Sequence, residues 1–235
     1  MTCRVLLIVT SNARMGDGGK TTGFWAEELA VPYFALRDAN VVVDIASPLG
    51  GPVPVDPASL KPKGENGPIV ERFLADASLQ AQLGASQRAG TVDASQYDAI
   101  FFPGGHGAMW DLPVDAGVTS AVEKAFAAGK VIAAVCHGAA GLVTARRPDG
   151  APIVKGVRIN AFTDAEEAAV GLSGVVPFPL EGRLRELGAK FEGAPLWQAF
   201  AVRDGQFVTG QNPQSSELVA RHLLDALGLK VLPAA

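Results

Sequence analysis

Cys136 and His137 are adjacent, and both side chains can take part in nucleophilic chemistry. They follow residues 131–135, a short apolar run typical of a buried strand, and a helical pattern begins just after them. Ala134 and Gly138 flank the cysteine at two positions on either side, and a sharp strand-turn-helix elbow requires such small residues. A thiol at a helix N-terminus is favoured as the thiolate. We therefore predict that Cys136 is an activated nucleophile.

A carbonyl attacked by this sulfur would become an oxyanion, which needs hydrogen-bond donors already in place. The backbone amide of Gly105, in the turn Pro103-Gly104-Gly105, and that of His137 are the candidates. A glycine turn with no catalytic purpose is the alternative. We expect His106 at the pocket mouth, with Trp110 and Trp197 narrowing the pocket to small substrates.

Carboxyl groups that could exchange protons with the cysteine occur in two segments. Glu28 has apolar neighbours at helical spacing, which predicts a desolvated carboxyl with a raised pKa. A partly exposed helical glutamate is the more common case, and the adjacent Glu27 is expected to face solvent. His137 needs a carboxylate to fix its tautomer, and residues 164–167 offer several. His222 is expected on a helix face.

Strands alternate with helices along the chain. Strands are predicted at 4–10, 41–46, 99–102, 131–135 and 157–161, and a hairpin at 200–210 turns at Asp204-Gly205. Helices are predicted at 23–38, 114–128, 164–170, 180–187 and 215–227, with Pro32 expected to kink or restart the first near Glu28. This order predicts an α/β fold, a doubly wound, mostly parallel sheet sandwiched by helices. Ligands bind such sheets at the carboxyl ends of the strands, where Gly105 and Cys136 are both expected.

We expect a single domain over residues 1–235, with the proline- and glycine-rich segment 48–90 as an insertion or lid within it. The formal charge of -4 gives no electrostatic reason to expect nucleic acid or a membrane as partner. Two cysteines are too few for a disulfide framework and suit a reducing, cytoplasmic compartment. Neither a signal peptide nor a transmembrane-length run is evident, and no spacing predicts a closed metal site.

Six short motifs, in order and at consistent spacing, carry a resemblance to a known family. They are Lys20-Thr21-Thr22-Gly23-Phe24 leading to Glu28-x-x-x-Pro32; Ala46-Ser47-Pro48 with Gly50-Gly51; Phe101-Phe102-Pro103-Gly104-Gly105-His106-Gly107 with Asp111-Leu112; Ala134-Val135-Cys136-His137-Gly138; Phe162-Thr163-Asp164 with Glu166-Glu167; and Thr209-Gly210-Gln211-Asn212-Pro213. Over nearly its whole length the chain resembles the PfpI-like superfamily. Within it, the chain is similar to the glutathione-independent glyoxalase III, or D-lactate dehydratase, branch, which includes heat-shock chaperone-like members.

The resemblance implies a flavodoxin-like fold of the class I glutamine amidotransferase type, with a nucleophile elbow. It implies that Cys136 is the nucleophile, that Glu28 rather than Glu27 is its protonated partner, and that His137 pairs with an acid that aligns best with Glu167. It implies conversion of methylglyoxal to D-lactate without metal or glutathione, and a homodimer. The alternatives are a holdase chaperone with a redox-sensitive cysteine and a protein deglycase that uses the same residues. Glu28 and His137 both stay open as the acceptor of the carbon-bound proton.

Overall fold

A seven-stranded sheet forms the centre of the molecule, with the strand order β10-β11-β7-β6-β1-β4-β5. The computed structural model describes residues 2–17 and 19–229. The strands are β1 (Arg4–Ile8), β2 (Arg14–Met15), β3 (Lys20–Thr21), β4 (Val42–Ser47), β5 (Gln87–Arg88), β6 (Ala99–Phe102), β7 (Val131–Val135), β8 (Arg158–Ile159), β9 (Lys190–Phe191), β10 (Ala201–Asp204) and β11 (Phe207–Gly210). Every pairing in the central sheet is parallel except that of β10 with β11, so the predicted mostly parallel sheet is confirmed.

Helices cover both faces of this sheet. They are α1 (Ala26–Asp38), α2 (Pro68–Ala75), α3 (Ala77–Gly84), α4 (Ala108–Asp111), α5 (Ala116–Ala127), α6 (Asp164–Ala169), α7 (Leu180–Glu186) and α8 (Ser216–Ala226), with 3-10 turns at Pro57–Ser59, Ala89–Thr91, Ala94–Gln96, Cys136–Leu142 and Pro213–Ser215. Among the described residues, no helix combines the length and the apolar character that crossing a membrane requires.

Alternation along the buried strands divides the core into two clusters. On β1, Leu6 and Ile8 pack with residues of α4, α5 and α7, whereas Val5 and Leu7 pack with residues of α1, α2, α3 and α8. A strand buried on both faces must be apolar throughout, which is why this part of the sequence is a continuous apolar run rather than an alternating one. The predicted helix-sheet-helix sandwich is therefore confirmed.

The strand order reverses at the centre of the sheet, and this reversal positions the site. From β1 the chain reaches β4 on one side and later β6 on the other. A crevice opens at the carboxyl ends of strands where the order reverses in this way. The loop after β1 leads to α1, the turn after β6 carries Gly104 and Gly105, and the turn after β7 carries Cys136.

Two local predictions differ from the structure. Helix α1 continues through Pro32 instead of restarting there. One lost backbone donor is tolerated because the helix is packed on the sheet, with Leu29 and Tyr33 buried. The helix predicted after Cys136 is a 3-10 helix that already begins at the cysteine, Cys136–Leu142.

The segment 48–90 supplies α2, α3 and the short edge strand β5, which pairs with β4. Its residue Val55 bridges to Phe24, and its α2 packs on α1. No residue of the segment lines the pocket described below, and its role as a lid stays a prediction. That it is an insertion stays a prediction, and residues 1, 18 and 230–235 of the predicted domain lie outside the described residues.

Candidate active site

Cys136 lies in a left-handed backbone conformation at the end of β7, with φ of 57°. A non-glycine residue in this region costs on the order of 1–3 kcal/mol, so the surrounding packing must hold it there. The packing leaves no room nearby, because a Cβ at Gly138 would lie 2.1 Å from the carbonyl oxygen of Phe102. The strained elbow predicted from the small flanking residues is therefore present.

The glycine turn after β6 lies against the cysteine. A Cβ at Gly104 would lie 2.5 Å from Glu28 Oε2 and 2.8 Å from Cys136 Cβ. Gly105 has φ of 106°, and a Cβ there would lie 2.3 Å from the carbonyl oxygen of Gly23. Both positions thus require glycine for close approach of the backbone. The amides of Gly105 and His137, which are the predicted oxyanion donors, both act to lower the pKa of the Cys136 thiol.

Glu28 extends from the first turn of α1 into this contact and is completely buried. Its Oε2 accepts a hydrogen bond from the Gly104 amide at 2.8 Å, and its Oε1 has no partner among the described residues. Burial raises the pKa of Glu28 to about 8, although the Cys136 side chain and the Gly104 amide lower it. The carboxyl is therefore protonated at neutral pH, as predicted, whereas Glu27 is exposed.

His137 contacts the sulfur from another direction. Its Nδ1 lies 3.3 Å from Cys136 Sγ, and its Nε2 lies 2.8 Å from Glu167 Oε2. A carboxylate can only accept, so Nε2 carries the hydrogen and a neutral ring offers the Nδ1 lone pair to the thiol. Burial and the neighbouring His106 lower the pKa of His137 to about 4, which keeps the ring neutral. The structure brings Cys136, His137 and Glu167 together, as the family resemblance implied.

His106 makes a contact that the sequence did not reveal. Its Nε2 lies 2.9 Å from Glu167 Oε1, and its ring centroid lies 4.1 Å from that of His137. One carboxylate therefore serves two imidazoles. Burial acts to raise the pKa of Glu167, but hydrogen bonds from both histidines outweigh burial and lower that pKa. Glu167 is consequently ionised throughout the range in which His137 can act.

The resting state of the sulfur differs from the sequence expectation. Burial raises the pKa of the Cys136 thiol, and the Glu28 carboxyl adds to this, while the amides of His137 and Gly105 lower it. Because burial dominates, the helix N-terminus alone does not produce a thiolate. The thiol needs a base to take its proton, and Nδ1 of His137 is in position for that transfer.

A pocket of about 230 Å³ opens above these groups. Glu28, Cys136 and His137 lie along it, with His106 beside them as expected, and Trp25, Phe162 and Trp197 provide aromatic walls. Trp197 was predicted; Trp25 and Phe162 were not, because apolar residues next to strands and helices normally indicate core.

Trp110 is not among the residues that line this pocket. It is half-buried on α4 and packs against the core cluster that includes Leu6, on the far side of the turn. Helix α4 starts directly after Gly107 and carries the indole away from the cysteine, with the indole nitrogen near Gly16. The predicted role of Trp110 in substrate binding therefore has no support in the geometry.

His106, His137 and Glu167 are also the described residues that could hold a metal ion, since one ligand atom from each lies within 4.8 Å of the others. Two histidines and a carboxylate are a common zinc set. Here, however, both Nε2 atoms already hydrogen-bond the carboxylate, so an ion would have to displace both hydrogen bonds and reverse the tautomer of His137.

The fold and these groups define a flavodoxin-like α/β protein with a buried cysteine on a nucleophile elbow, paired with histidine and glutamate. The chain belongs to the DJ-1/PfpI family, whose model matches residues 20–226. Glyoxalase 3 of Candida albicans is 31% identical over 95% of this chain and 98% of its own length. The crystal structure of glyoxalase III from the same organism has a TM-score of 0.87, with 95% and 97% of the two chains covered at 29% identity.

Two further similarities span nearly the whole chain. The glutathione-independent glyoxalase HSP31 of Saccharomyces cerevisiae is 32% identical, covering 95% of this chain and 98% of that protein. The rapid encystment protein REP24 of Francisella tularensis is 38% identical with a TM-score of 0.91, covering 96% and 99%. The PfpI-like resemblance predicted from the sequence motifs is confirmed.

Proposed function

We propose that this chain is a glutathione-independent glyoxalase III, which converts methylglyoxal and related small 2-oxoaldehydes to D-lactate and other 2-hydroxy acids. Cys136, His137, Glu28 and Glu167 are the proposed catalytic residues, with the Gly105 amide in the oxyanion site and His106 beside the substrate. The similarity to curated glutathione-independent glyoxalases over nearly the full length supports this activity.

The observation that carries the proposal is that two separate proton carriers flank one sulfur. His137 Nδ1 lies 3.3 Å from Sγ, and the protonated Glu28 carboxyl lies beside the same atom. Simple hydrolysis through a cysteine needs one base. Conversion of a 2-oxoaldehyde to a hydroxy acid also moves a hydrogen from the aldehyde carbon to the neighbouring carbon, and a second proton carrier beside the sulfur can assist this transfer.

In the first step, the sulfur adds to the aldehyde carbon and forms a carbon–sulfur bond, while the thiol proton passes to His137 Nδ1. The amides of Gly105 and His137 stabilise the oxyanion, which then takes up this proton to give a neutral hemithioacetal. Glu167 stabilises the imidazolium formed in between, because it is ionised and hydrogen-bonded to Nε2.

In the second step, a base removes the hydrogen of the former aldehyde carbon, and an enediol forms as the ketone oxygen gains a proton. A proton returns to the second carbon, and the hydroxyl on the sulfur-bearing carbon gives up its proton to the base, which leaves the thioester of the 2-hydroxy acid. Glu28 and His137 are both placed for these transfers. Water then attacks the thioester, the carbon–sulfur bond breaks, and the thiol regains its proton. The balance requires the 2-oxoaldehyde and one water molecule.

The test is incubation of the protein with methylglyoxal in the absence of glutathione, with an assay for D-lactate. We expect D-lactate to form in proportion to methylglyoxal consumed, and Cys136→Ala to lower the rate by at least about 10³-fold. Cys3→Ala is the matched control, because Cys3 is the other free cysteine and is remote from the pocket. A folded wild-type protein that makes no D-lactate would contradict the proposal.

Two alternative functions make different predictions, and each needs an assay of its own. A holdase would suppress aggregation of a client protein equally well with Cys136→Ala. A deglycase would release product from a preformed, purified adduct faster than that adduct dissociates to free methylglyoxal. We also propose a cytoplasmic homodimer; light scattering coupled to gel filtration tests the oligomeric state.

A further inference from the structure

The pocket above Cys136 is larger than methylglyoxal requires. Its volume is about 230 Å³, whereas a cavity of about 150 Å³ is large enough to hold a benzene ring. Methylglyoxal has only a methyl group beyond its two carbonyls. The pocket therefore has room for a substituent larger than methyl, and Trp25, Phe162 and Trp197 are among the residues that line it.

Trp197 is held in this wall in an unfavourable backbone conformation. Its φ is 63°, in the left-handed region, and 41% of the residue is exposed. Its ring centroid lies 5.9 Å from that of Phe162. The left-handed conformation costs free energy, and the partly exposed side chain gains only part of the free energy of burial. Neighbouring interactions must therefore stabilise this arrangement.

Glu166 provides these interactions. Its carboxyl is completely buried, and Oε1 accepts hydrogen bonds from the Trp197 amide at 3.1 Å, from Asn212 Nδ2 at 2.8 Å and from Gln211 Nε2 at 3.1 Å. Asn212 Nδ2 also donates to the carbonyl oxygen of Gln198 at 2.9 Å. The amide of Trp197 and the carbonyl of the next residue, Gln198, are thus both tied to one buried polar cluster.

The charges at the pocket mouth restrict what this space can hold. Glu27 lines the mouth, and no lysine or arginine is among the lining residues. An anionic substituent would be repelled and would find no counter-charge. Aromatic walls instead favour a flat apolar group, because ring-ring contacts add to the burial of apolar area.

We propose that Trp25, Phe162 and Trp197 form a subsite for an aromatic substituent on the ketone carbon, with Glu166 as the residue that positions Trp197. The preferred substrates are then arylglyoxals, with phenylglyoxal as the simplest, rather than methylglyoxal. This inference rests on the proposed glyoxalase function for its chemistry, but the subsite itself is a matter of binding.

The kinetic test compares kcat/KM for phenylglyoxal and methylglyoxal. In the wild type we expect phenylglyoxal to be favoured by at least about 10-fold. Trp197→Ala should lower kcat/KM for phenylglyoxal by at least about 10-fold more than kcat/KM for methylglyoxal, so that most of the preference is lost. Leu196→Ala is the matched control: Leu196 is equally exposed on the same loop but does not line the pocket, so the preference should persist.

Glu166→Gln tests the positioning role. It should raise KM for phenylglyoxal with little change in kcat, since Glu166 does not touch the reacting atoms. Equal losses for both substrates would mean that Glu166 serves only the fold, and the thermal melting curve shows whether the variant is folded.

A binding measurement separates the subsite from the catalytic proposal. In Cys136→Ala, which cannot turn over, we expect (R)-mandelate to bind at least about 10-fold more tightly than D-lactate by calorimetry, and the added Trp197→Ala substitution to abolish the difference. This result would support the subsite even if neither aldehyde were converted. Equal binding of the two acids, or conversion of methylglyoxal with no preference for phenylglyoxal, would overturn it.

Discussion

Glu28 Oε2 and the amide nitrogen of Gly104 lie 2.8 Å apart, and this hydrogen bond joins the first turn of α1 to the turn that follows β6. The two elements carry different parts of the candidate site: a proton carrier on one and an oxyanion donor on the other. Because the bond is completely buried, the carboxyl cannot move away from the sulfur without leaving a buried amide unpaired. The acid and the oxyanion site are therefore fixed relative to each other.

The pKa values of His137 and Glu28 predict a bell-shaped dependence of kcat/KM on pH. His137 must be neutral to take the thiol proton, so activity should fall as the pH drops through about 4. Glu28 must be protonated, so activity should fall as the pH rises through about 8. Steady-state rates with methylglyoxal measure both limbs.

The Glu28→Gln and Glu27→Gln variants assign the alkaline limb. Glu28→Gln should lose that limb from its residual activity, whereas Glu27→Gln should keep it because Glu27 is exposed at the pocket mouth. An unchanged alkaline limb in Glu28→Gln would show that another group, such as the thiol, controls it.

Glu28 should also lower the stability of the protein. Its folded pKa of about 8 lies above its ordinary value of 4.5, so the folded state binds the extra proton between these values. The free energy of unfolding should therefore fall as the pH rises from about 4.5 and level off above about 8. The penalty at pH 7 is on the order of 3 kcal/mol.

Glu28→Gln should remove this penalty and raise the melting temperature by several degrees at pH 7, while activity falls. The difference in the free energy of unfolding between the variant and the wild type should shrink toward pH 4.5, where wild-type Glu28 carries no penalty. Urea unfolding of both proteins at several pH values measures this difference. A difference that is independent of pH would indicate a packing effect instead of titration.

His106 should tune the proton affinity of His137. His106→Gln can still donate from its amide to Glu167 Oε1, but it removes the imidazole that lowers the pKa of His137. The acid limb of kcat/KM should therefore move upward from about 4, toward the ordinary value of 6.5. His222→Gln, on α8 and away from the pocket, is the control and should leave the limb in place.

Gly104→Ala should damage both activity and stability. The new methyl group would lie 2.7 Å from the carbonyl oxygen of Val135, a backbone atom of β7 that cannot move aside. We expect destabilisation of roughly 1–3 kcal/mol and loss of most activity, as the turn shifts away from Glu28. Gly84→Ala, at the end of α3 where a methyl group meets nothing within 4 Å, should be neutral or slightly stabilising.

The predicted features that the structure contains depend mainly on local geometry, and their catalytic roles stay proposals. The elbow at Cys136 could be recognised because Ala134 and Gly138 are small on both sides of it, and backbone crowding there requires smallness. The buried carboxyl of Glu28 followed from its apolar neighbours at helical spacing, and the choice of Glu167 followed from the family resemblance.

The features that were missed depend on contacts between distant segments. His106 reaches Glu167 across 61 positions of sequence, and no local pattern indicates that two histidines share one carboxylate. Trp110 was predicted to narrow the pocket, but it does not line it. The direction in which α4 leaves that turn depends on tertiary packing, with Asp111 hydrogen-bonded to Thr10 on a different strand end.

The N-terminal cap of α6 fixes which acid does which task. Thr163 Oγ1 accepts a hydrogen bond from the Glu166 amide, and Glu166 Oε2 accepts one from the Thr163 amide, each at 3.1 Å. Successive helical residues point about 100° apart, so Glu166 faces the Trp197 loop while Glu167 faces the histidines. An insertion or deletion between 163 and 167 would turn both carboxyl groups in other directions. Glu166 would then no longer hold the Trp197 loop, and Glu167 would no longer pair with the histidines. The placement of both carboxyl groups therefore depends on the unchanged length of this five-residue stretch.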